Sequence, residues 1–266
     1  MTVDGGGGGK AAAFFDLDKT LMEGSSAFQF ARAAYKNGQL SRRQLARDVW
    51  ANVKFRLEGS TDEATAELRD RIFESLAGQR VVDLQRLAPD VLAGVLPRLY
   101  PQMLHVAWEH QDAGRPVFIV TAASTEMAEI LAHVLHFDGG IGSRSEVHDG
   151  VYTGRPDGVF TYREGKAEAI REVARERGID LSKSFAYSDS ESDLPMMRAV
   201  GHPVAVNPDT ELERVAREEG WQIMRFDKLG RRLRIATVAA ALALVGGGGG
   251  YAAARLRPRR RFNRLR

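Results

Sequence analysis

The sequence predicts an α/β protein in which a parallel sheet is covered by helices and a bundle of helices is inserted after the first strand. Three observations carry this. Short apolar runs at residues 11–15 and 116–120 suit strands buried on both faces, as strands of parallel sheets are, and residues 184–187 read as a further strand. From residue 101 to residue 226 such runs alternate with segments of helical period, the pattern of repeated strand–helix units. Residues 23–97 keep the helical period with no strand signal, which marks an inserted helical unit.

A chain of 266 residues, 44% of them hydrophobic, can bury one large core carrying such an insertion. The absence of cysteine excludes a disulfide framework, thiolate chemistry and a zinc–thiolate site. The first residues lack the charged start and apolar stretch of a secretory signal, so a cytoplasmic setting is expected. The net charge of +3 hides an asymmetry. From Asp227 onward one acid faces Lys228 and ten arginines, a net of +10, so residues 1–226 carry −7 and the pI of 9.2 reports the tail. A nucleic-acid role would have to reside in that tail and is not expected of the body.

Residues 1–9, with five consecutive glycines, read as a flexible tail. Gly9 and Lys10 imitate a phosphate-binding Walker loop. However, Asp4 stands where that loop needs its first glycine and Ala11 where it needs a hydroxyl. The apolar run at 11–15 ends in Asp16-Leu17-Asp18-Lys19-Thr20. In extended chain residues i and i+2 share a side, so Asp16 and Asp18 are expected to leave the strand together, with Leu17 opposite. Two adjacent carboxylates repel unless a cation or a shared proton lies between them. That arrangement suits magnesium-assisted phosphoryl transfer, in which one carboxylate attacks and the other handles the leaving-group proton; these residues alone also fit a solvated turn. A calcium loop of the EF-hand kind is excluded, because Leu21 and Ala27 occupy the positions of its glycine and its glutamate.

The insertion divides into expected helices at 26–37, 41–57, 61–76 and 81–96. Its aromatic residues Phe28, Phe30, Tyr35, Trp50, Phe55 and Phe73 read as core. Pro101 suits the first turn of a helix to residue 112, and Gly114 ends it. The strand at 116–120 is expected to stop at Thr121, with Ala122, Ala123 and the helix cap Ser124 following. Such a turn presents backbone N–H groups to an anion. Residues 141–155 suggest a hairpin with Asp149-Gly150 at its turn. A helix follows at 163–177, and Lys166 lies on its buried stripe with Ile170, Val173 and Ala174. A lysine there must snorkel to water or meet anions; the neighbouring motifs favour anions. The strand at 184–187 leads into Ser188-Asp189-Ser190-Glu191-Ser192-Asp193. Strands at 203–206 and 221–226 enclose a helix at 209–219. Asp16, Asp18, Thr121, Asp189 and Asp193 all fall at the carboxyl ends of strands or just beyond, where parallel sheets bind ligands.

With these residues in this order the chain resembles the haloacid dehalogenase superfamily of magnesium-dependent phosphohydrolases, over residues 10–226. Asp16, Asp18 and Thr20 match its first motif, Thr121 its second, Lys166 its third, and Asp189 with Asp193 its fourth. The resemblance implies a Rossmann-like core at 10–22 and 98–226, with residues 23–97 as a helical-bundle cap of the kind found in the subgroup containing phosphoserine phosphatase. It further implies Asp16 as nucleophile, Asp18 as general acid and base, and Thr121, Ala122 and Lys166 as phosphate ligands. Magnesium would be held by Asp16, by Asp18 through its backbone carbonyl, and by Asp189, with Thr20 and Asp193 supporting the site. Ser25 stands where the phosphoserine enzymes place a glutamate, and Thr121-Ala122-Ala123 replaces their Ser-Gly-Gly. The expected substrate is therefore a small organophosphate other than phosphoserine.

Residues 235–254 form an uncharged Ala/Gly-rich stretch between arginines. Its length allows a membrane span, but its five glycines and few large aliphatic residues weaken one. Attachment to a membrane surface and a disordered basic tail both remain open. Two rivals to hydrolysis also stand: a phosphotransferase of the same fold, and a non-catalytic protein that binds lipid or nucleic acid through the tail.

Overall fold

A computed structural model describes residues 9–39 and 62–226. The helix expected at 41–57, the aromatic residues Trp50 and Phe55, the first eight residues and the basic tail at 227–266 lie outside the described residues. Strand β1 (Ala13–Asp16) is followed by the insertion: α1 (Ser26–Lys36), α2 (Asp62–Leu76), α3 (Val81–Gln85) and α4 (Ala88–Val95). The chain then alternates through α5 (Pro101–Asp112), β2 (Val117–Ser124), α6 (Thr125–Val134) and β3 (Gly139–Ser143). A hairpin of β4 (Ser145–His148) and β5 (Val151–Pro156) leads to α7 (Glu164–Arg177). The last elements are β6 (Phe185–Ser188), α8 (Leu194–Arg198), β7 (His202–Val206), α9 (Thr210–Glu218) and β8 (Gln222–Met224).

Six strands form one parallel sheet in the order β3-β2-β1-β6-β7-β8. Strand β1 is central and its Ala-Phe-Phe-Asp run is buried throughout, as a strand covered on both faces must be. Successive side chains point to opposite faces. Phe14 stacks on Phe118 at 5.4 Å between ring centroids and joins the cluster of Ile170, Met196 and Met197 under α7 and α8. Phe15 stacks on Tyr187 at 4.3 Å and meets His110 of α5 edge-on. These three ring contacts anchor the strand whose last residue is Asp16.

Four expectations change. The helix expected at 81–96 is broken into α3 and α4, because Pro89 lies in the first turn of α4; within a continuous helix it would leave the Gln85 carbonyl unbonded and clash with it. Strand β2 does not stop at Thr121 but runs to Ser124, which pairs with Ser143 of β3. Strand β3 itself belongs to the main sheet rather than to the hairpin. Its Gly-Gly-Ile-Gly run gives little strand signal, yet a Cβ at Gly140 would stand 2.1 Å from the Ala128 carbonyl carbon, so glycine is what lets α6 lie against the strand. Phe28 is 49% exposed rather than core, whereas Phe73 is buried.

Among the described residues no helix is long and apolar enough to cross a membrane.

Candidate active site

The strand register brings the predicted residues together. Asp16 pairs with Val120, the residue before Thr121, and Phe15 pairs with Tyr187, two residues before Asp189. The ends of β1, β2 and β6 are therefore adjacent at the middle of the sheet. Helix α7 delivers Lys166 from its first turn. A Cβ at Gly165 would stand 1.9 Å from the Phe160 carbonyl oxygen, so glycine there allows the helix to start against the preceding chain and sets the lysine in place.

The Lys166 ammonium donates to Asp16 Oδ1 at 2.5 Å and to Asp193 Oδ2 at 2.7 Å. Among the described residues it is the single buried cation, and Asp16, Asp189 and Asp193 are buried with it. Burial favours the neutral amine, but Asp16 and Asp193 outweigh it and hold the Lys166 pKa above its ordinary value. Burial pushes Asp16 up to about 8 against the pull of Lys166, with Asp193 and Asp189 adding repulsion. Asp189 is likewise pushed up by burial, to about 6. Its nearest cation is Lys19, whose half-exposed ammonium lies 3.5 Å away. Two buried carboxylates thus share one buried ammonium while a third, Asp189, has only the half-exposed Lys19, and the buried cluster carries excess negative charge.

Asp18 departs from the expected geometry. It lies beyond the end of β1, and its carboxylate accepts the Ser26 N–H at 2.7 Å and the Ser25 hydroxyl at 3.2 Å. The chain turns after Asp16, so the strand alternation that would have paired the two carboxylates no longer applies. Asp18 instead caps the start of α1, the first helix of the insertion, where the helix dipole favours an anion. Thr20 is fully buried and its hydroxyl has no hydrogen-bond partner. Thr121 is buried, and its hydroxyl accepts the Ala123 N–H at 3.2 Å.

Two buried serines that sequence reasoning passed over brace the cluster. Ser188 donates to Asp193 Oδ2 at 2.7 Å, directly behind the Lys166 contact. Ser143 donates to the Ala122 carbonyl and accepts the Thr161 N–H, both at 3.1 Å. It thereby ties β2 to the segment that leads into α7. Ser188 was open to detection as the residue between a buried strand and Asp189; Ser143 lies in the glycine-rich strand that carried no signal.

The donor set fits a hard divalent cation. Asp16 and Asp189 are oxygen donors at neighbouring strand ends, both raised first by burial, with repulsion from Asp193 adding to each. Asp193 Oδ1 is buried without a partner. Among the described residues no three acidic or imidazole side chains converge into a complete metal cage. Magnesium does not need one, since it keeps waters and takes one or two carboxylates.

A parallel α/β sheet with carboxylates and one lysine gathered at its central strand ends is a site equipped to handle a phosphoryl group. Comparison with known proteins gives the family. The haloacid dehalogenase-like hydrolase family matches residues 13–198. The phosphoserine phosphatase SerB1 of Mycobacterium tuberculosis is 36% identical over 238 residues, covering 88% of this chain and 76% of that one. A histidinol-phosphatase of Neisseria meningitidis is 31% identical over 224 residues, 82% of this chain and 99% of that one. A solved structure of a protein with unknown function from Bordetella pertussis superposes with a TM-score of 0.71 at 29% identity, over 81% of this chain and 98% of that one. The chain belongs to the haloacid dehalogenase-like hydrolases, and it is an enzyme of the phosphatase type.

Proposed function

We propose that the chain is a magnesium-dependent phosphomonoester hydrolase that works through a phosphorylated Asp16 and acts on a small organophosphate. The observation that carries this is the buried contact of Lys166 with both Asp16 and Asp193, with Asp189 beside them.

Asp16 is anchored by the stacking of Phe14 and Phe15 and aimed by Lys166, so its free oxygen attacks phosphorus from a fixed position. The bond from phosphorus to the leaving oxygen breaks, and Asp18 gives its proton to that oxygen. Asp18 then takes a proton from a water that attacks phosphorus, which releases inorganic phosphate and restores the Asp16 carboxylate. The Lys166 ammonium and the backbone N–H of Ala122 hold non-bridging oxygens, with the Thr121 hydroxyl as a further donor, and they meet the charge that develops on the transferring group. Magnesium, held by Asp16, Asp189 and the Asp18 carbonyl, would supply electrostatic stabilisation of that charge. Asp18 reaches the leaving oxygen by giving up its contacts with Ser25 and Ser26, so the acid–base step is linked to the position of α1.

The relatives named for phosphoserine and for histidinol phosphate differ in substrate at comparable identity, so family membership leaves the leaving group open. Ser25, which occupies the place of the phosphoserine enzymes' glutamate, is engaged with Asp18. This supports an organophosphate other than phosphoserine. The tail at 227–266 is proposed to bring the enzyme to an anionic membrane surface, on the strength of its arginines and its uncharged stretch. Sedimentation with anionic vesicles, compared with a chain ending at Phe226, tests it; equal partitioning of the two removes the idea.

The enzyme reading is tested with phenyl phosphate. Turnover that requires magnesium and falls at least about 10⁴-fold in Asp16→Asn supports it. Undiminished turnover in that variant, or none by the unaltered chain on any phosphomonoester, overturns it.

A further inference from the structure

Strand β2 leaves its neighbour where the predicted phosphate ligands begin. Val120 pairs with Ile141, and the next pairing is Ser124 with Ser143, so Thr121, Ala122 and Ala123 stand opposite the single residue Gly142. A bulge of this kind leaves backbone groups that the ladder cannot serve. It is also tightly seated, because a Cβ at Gly142 would lie 2.7 Å from the Ala123 carbonyl oxygen.

Side-chain hydroxyls take over from the ladder here. Ser143, buried on β3, donates to the Ala122 carbonyl at 3.1 Å. At the other end of that same peptide unit the Ala123 N–H donates to the Thr121 hydroxyl at 3.2 Å. The Ser143 oxygen in turn accepts the Thr161 N–H at 3.1 Å, from the segment that leads into α7 and Lys166. The three bonds run in one direction: Thr161 N–H to Ser143, Ser143 O–H to Ala122, Ala123 N–H to Thr121. In such a chain each bond polarises the next. A hydroxyl carries one proton besides its acceptor positions, and among the described residues the Thr121 hydroxyl makes no other hydrogen bond. With its acceptor side engaged, Thr121 is left to act as a donor, the role that a phosphoryl oxygen requires.

We propose that Ser143 is a positioning residue for the phosphoryl site: by holding the peptide between Ala122 and Ala123 in the bulge, it fixes the Thr121 hydroxyl as a donor to a non-bridging phosphoryl oxygen. This rests on the phosphomonoesterase reading, in which Thr121 meets the transferring group. Ser143 has its own proton and an acceptor position committed inside the protein, so it reaches the phosphoryl group only through what it holds. Ser143→Ala leaves the Ala122 carbonyl and the Thr161 N–H without their partner, and the bulge is then free to turn the Ala123 N–H away from Thr121. The Thr121 proton is no longer directed, and the anion loses one aimed donor.

Binding of inorganic phosphate, measured by titration calorimetry on the full chain in magnesium buffer, tests this in a double-mutant cycle with Thr121→Val. Ser143→Ala is expected to raise Kd about five- to tenfold, the scale of one ordinary hydrogen bond, and Thr121→Val by at least as much. In the Thr121→Val background Ser143→Ala should add less than about twofold, because no hydroxyl is left to aim. A merely structural serine weakens binding by the same factor in both backgrounds. A factor closer to that of the unaltered chain than to one therefore overturns the proposal, as does an unchanged Kd in Ser143→Ala or no phosphate binding by the unaltered chain. If Ser143→Ala shows no cooperative urea transition, Ser143→Cys, which keeps the shape with only a weak donor, takes its place in the cycle. Because phosphate binds without being hydrolysed, the two readings fail separately. Coupling without turnover of phenyl phosphate would contradict the hydrolase and uphold the role of Ser143. Magnesium-dependent turnover with equal factors in the two backgrounds would do the reverse.

Discussion

The floor of the site and its roof are built differently. On the floor, Asp16, Lys166, Ser188 and Asp193 come from three separate stretches of chain, and each is buried and hydrogen-bonded to another. On the roof, the insertion touches the chemistry through few polar contacts, those by which Ser25 and Ser26 hold Asp18. On the proposed function the floor serves the phosphate, which every phosphomonoester shares, and its geometry follows from sheet topology. On the same proposal the roof faces the part of the substrate that varies. Cooperative packing below and sparse polar contacts above teach that reaction type and substrate choice are encoded in different places.

Substitutions should reveal this contrast as a gradient. The largest effect on folding is expected from Lys166→Met, which leaves Asp16 and Asp193 without their shared cation. Breaking a buried pair from one side costs roughly 3–5 kcal/mol, read by denaturant unfolding; a change no larger than that of a surface variant would break the contrast.

Next comes a pH effect on the sheet face opposite α7. His110 is buried, and its pKa is lowered to about 4, first by burial and then by Arg115. Its Nδ1 accepts from Arg115 at 2.6 Å, which leaves Nε2 as donor to the Tyr187 hydroxyl at 2.7 Å. In the unfolded chain histidine takes up a proton near pH 6.5, whereas the folded state resists until about 4. Stability is therefore full above about pH 6.5 and falls toward pH 4, by roughly 2 kcal/mol from this group. His110→Gln should flatten that window in urea titrations run at several pH values. An unchanged slope would show that the histidine is not the cause.

Ser188→Ala removes the donor behind Asp193 and should cost about 1–2 kcal/mol of stability, together with a fall in kcat rather than a rise in KM. A pure KM effect would place Ser188 on the roof's side of the contrast. The smallest effect belongs to the insertion's own surface. Lys36, 70% exposed, pairs with Asp90, and exposed pairs contribute little. Lys36→Ala should leave the Tm where it is, and a clear drop would mean the insertion is held more tightly than its polar contacts suggest.

The legibility of each region in the sequence follows the same division. Strand β1, α5, α7 and the residues at strand ends could be read because uniform burial produces apolar runs and because a lysine on an apolar stripe stands out, as Lys166 does. Three features could not. Strand β3 is hidden because the close approach of α6 demands glycine at position 140, which erases strand propensity. The turn of Asp18 toward α1 depends on how the insertion docks, a tertiary contact that alternation along a strand cannot express. Glu126 reads as an ordinary acidic residue in a first helical turn, and that its Oε1 takes the Tyr152 hydroxyl while its Oε2 is left without a partner shows only in the folded chain. The break between α3 and α4 is a different case: Pro89 stands in plain view, but the apolar periodicity runs across it.

Acid-quenched enzyme, taken during turnover and digested for mass spectrometry, tests the central claim most directly. The account predicts one added phosphoryl group on the peptide containing Asp16, lost on neutral incubation and missing in Asp16→Asn. Steady turnover with that peptide unmodified, or with the phosphoryl group on another residue, would contradict it.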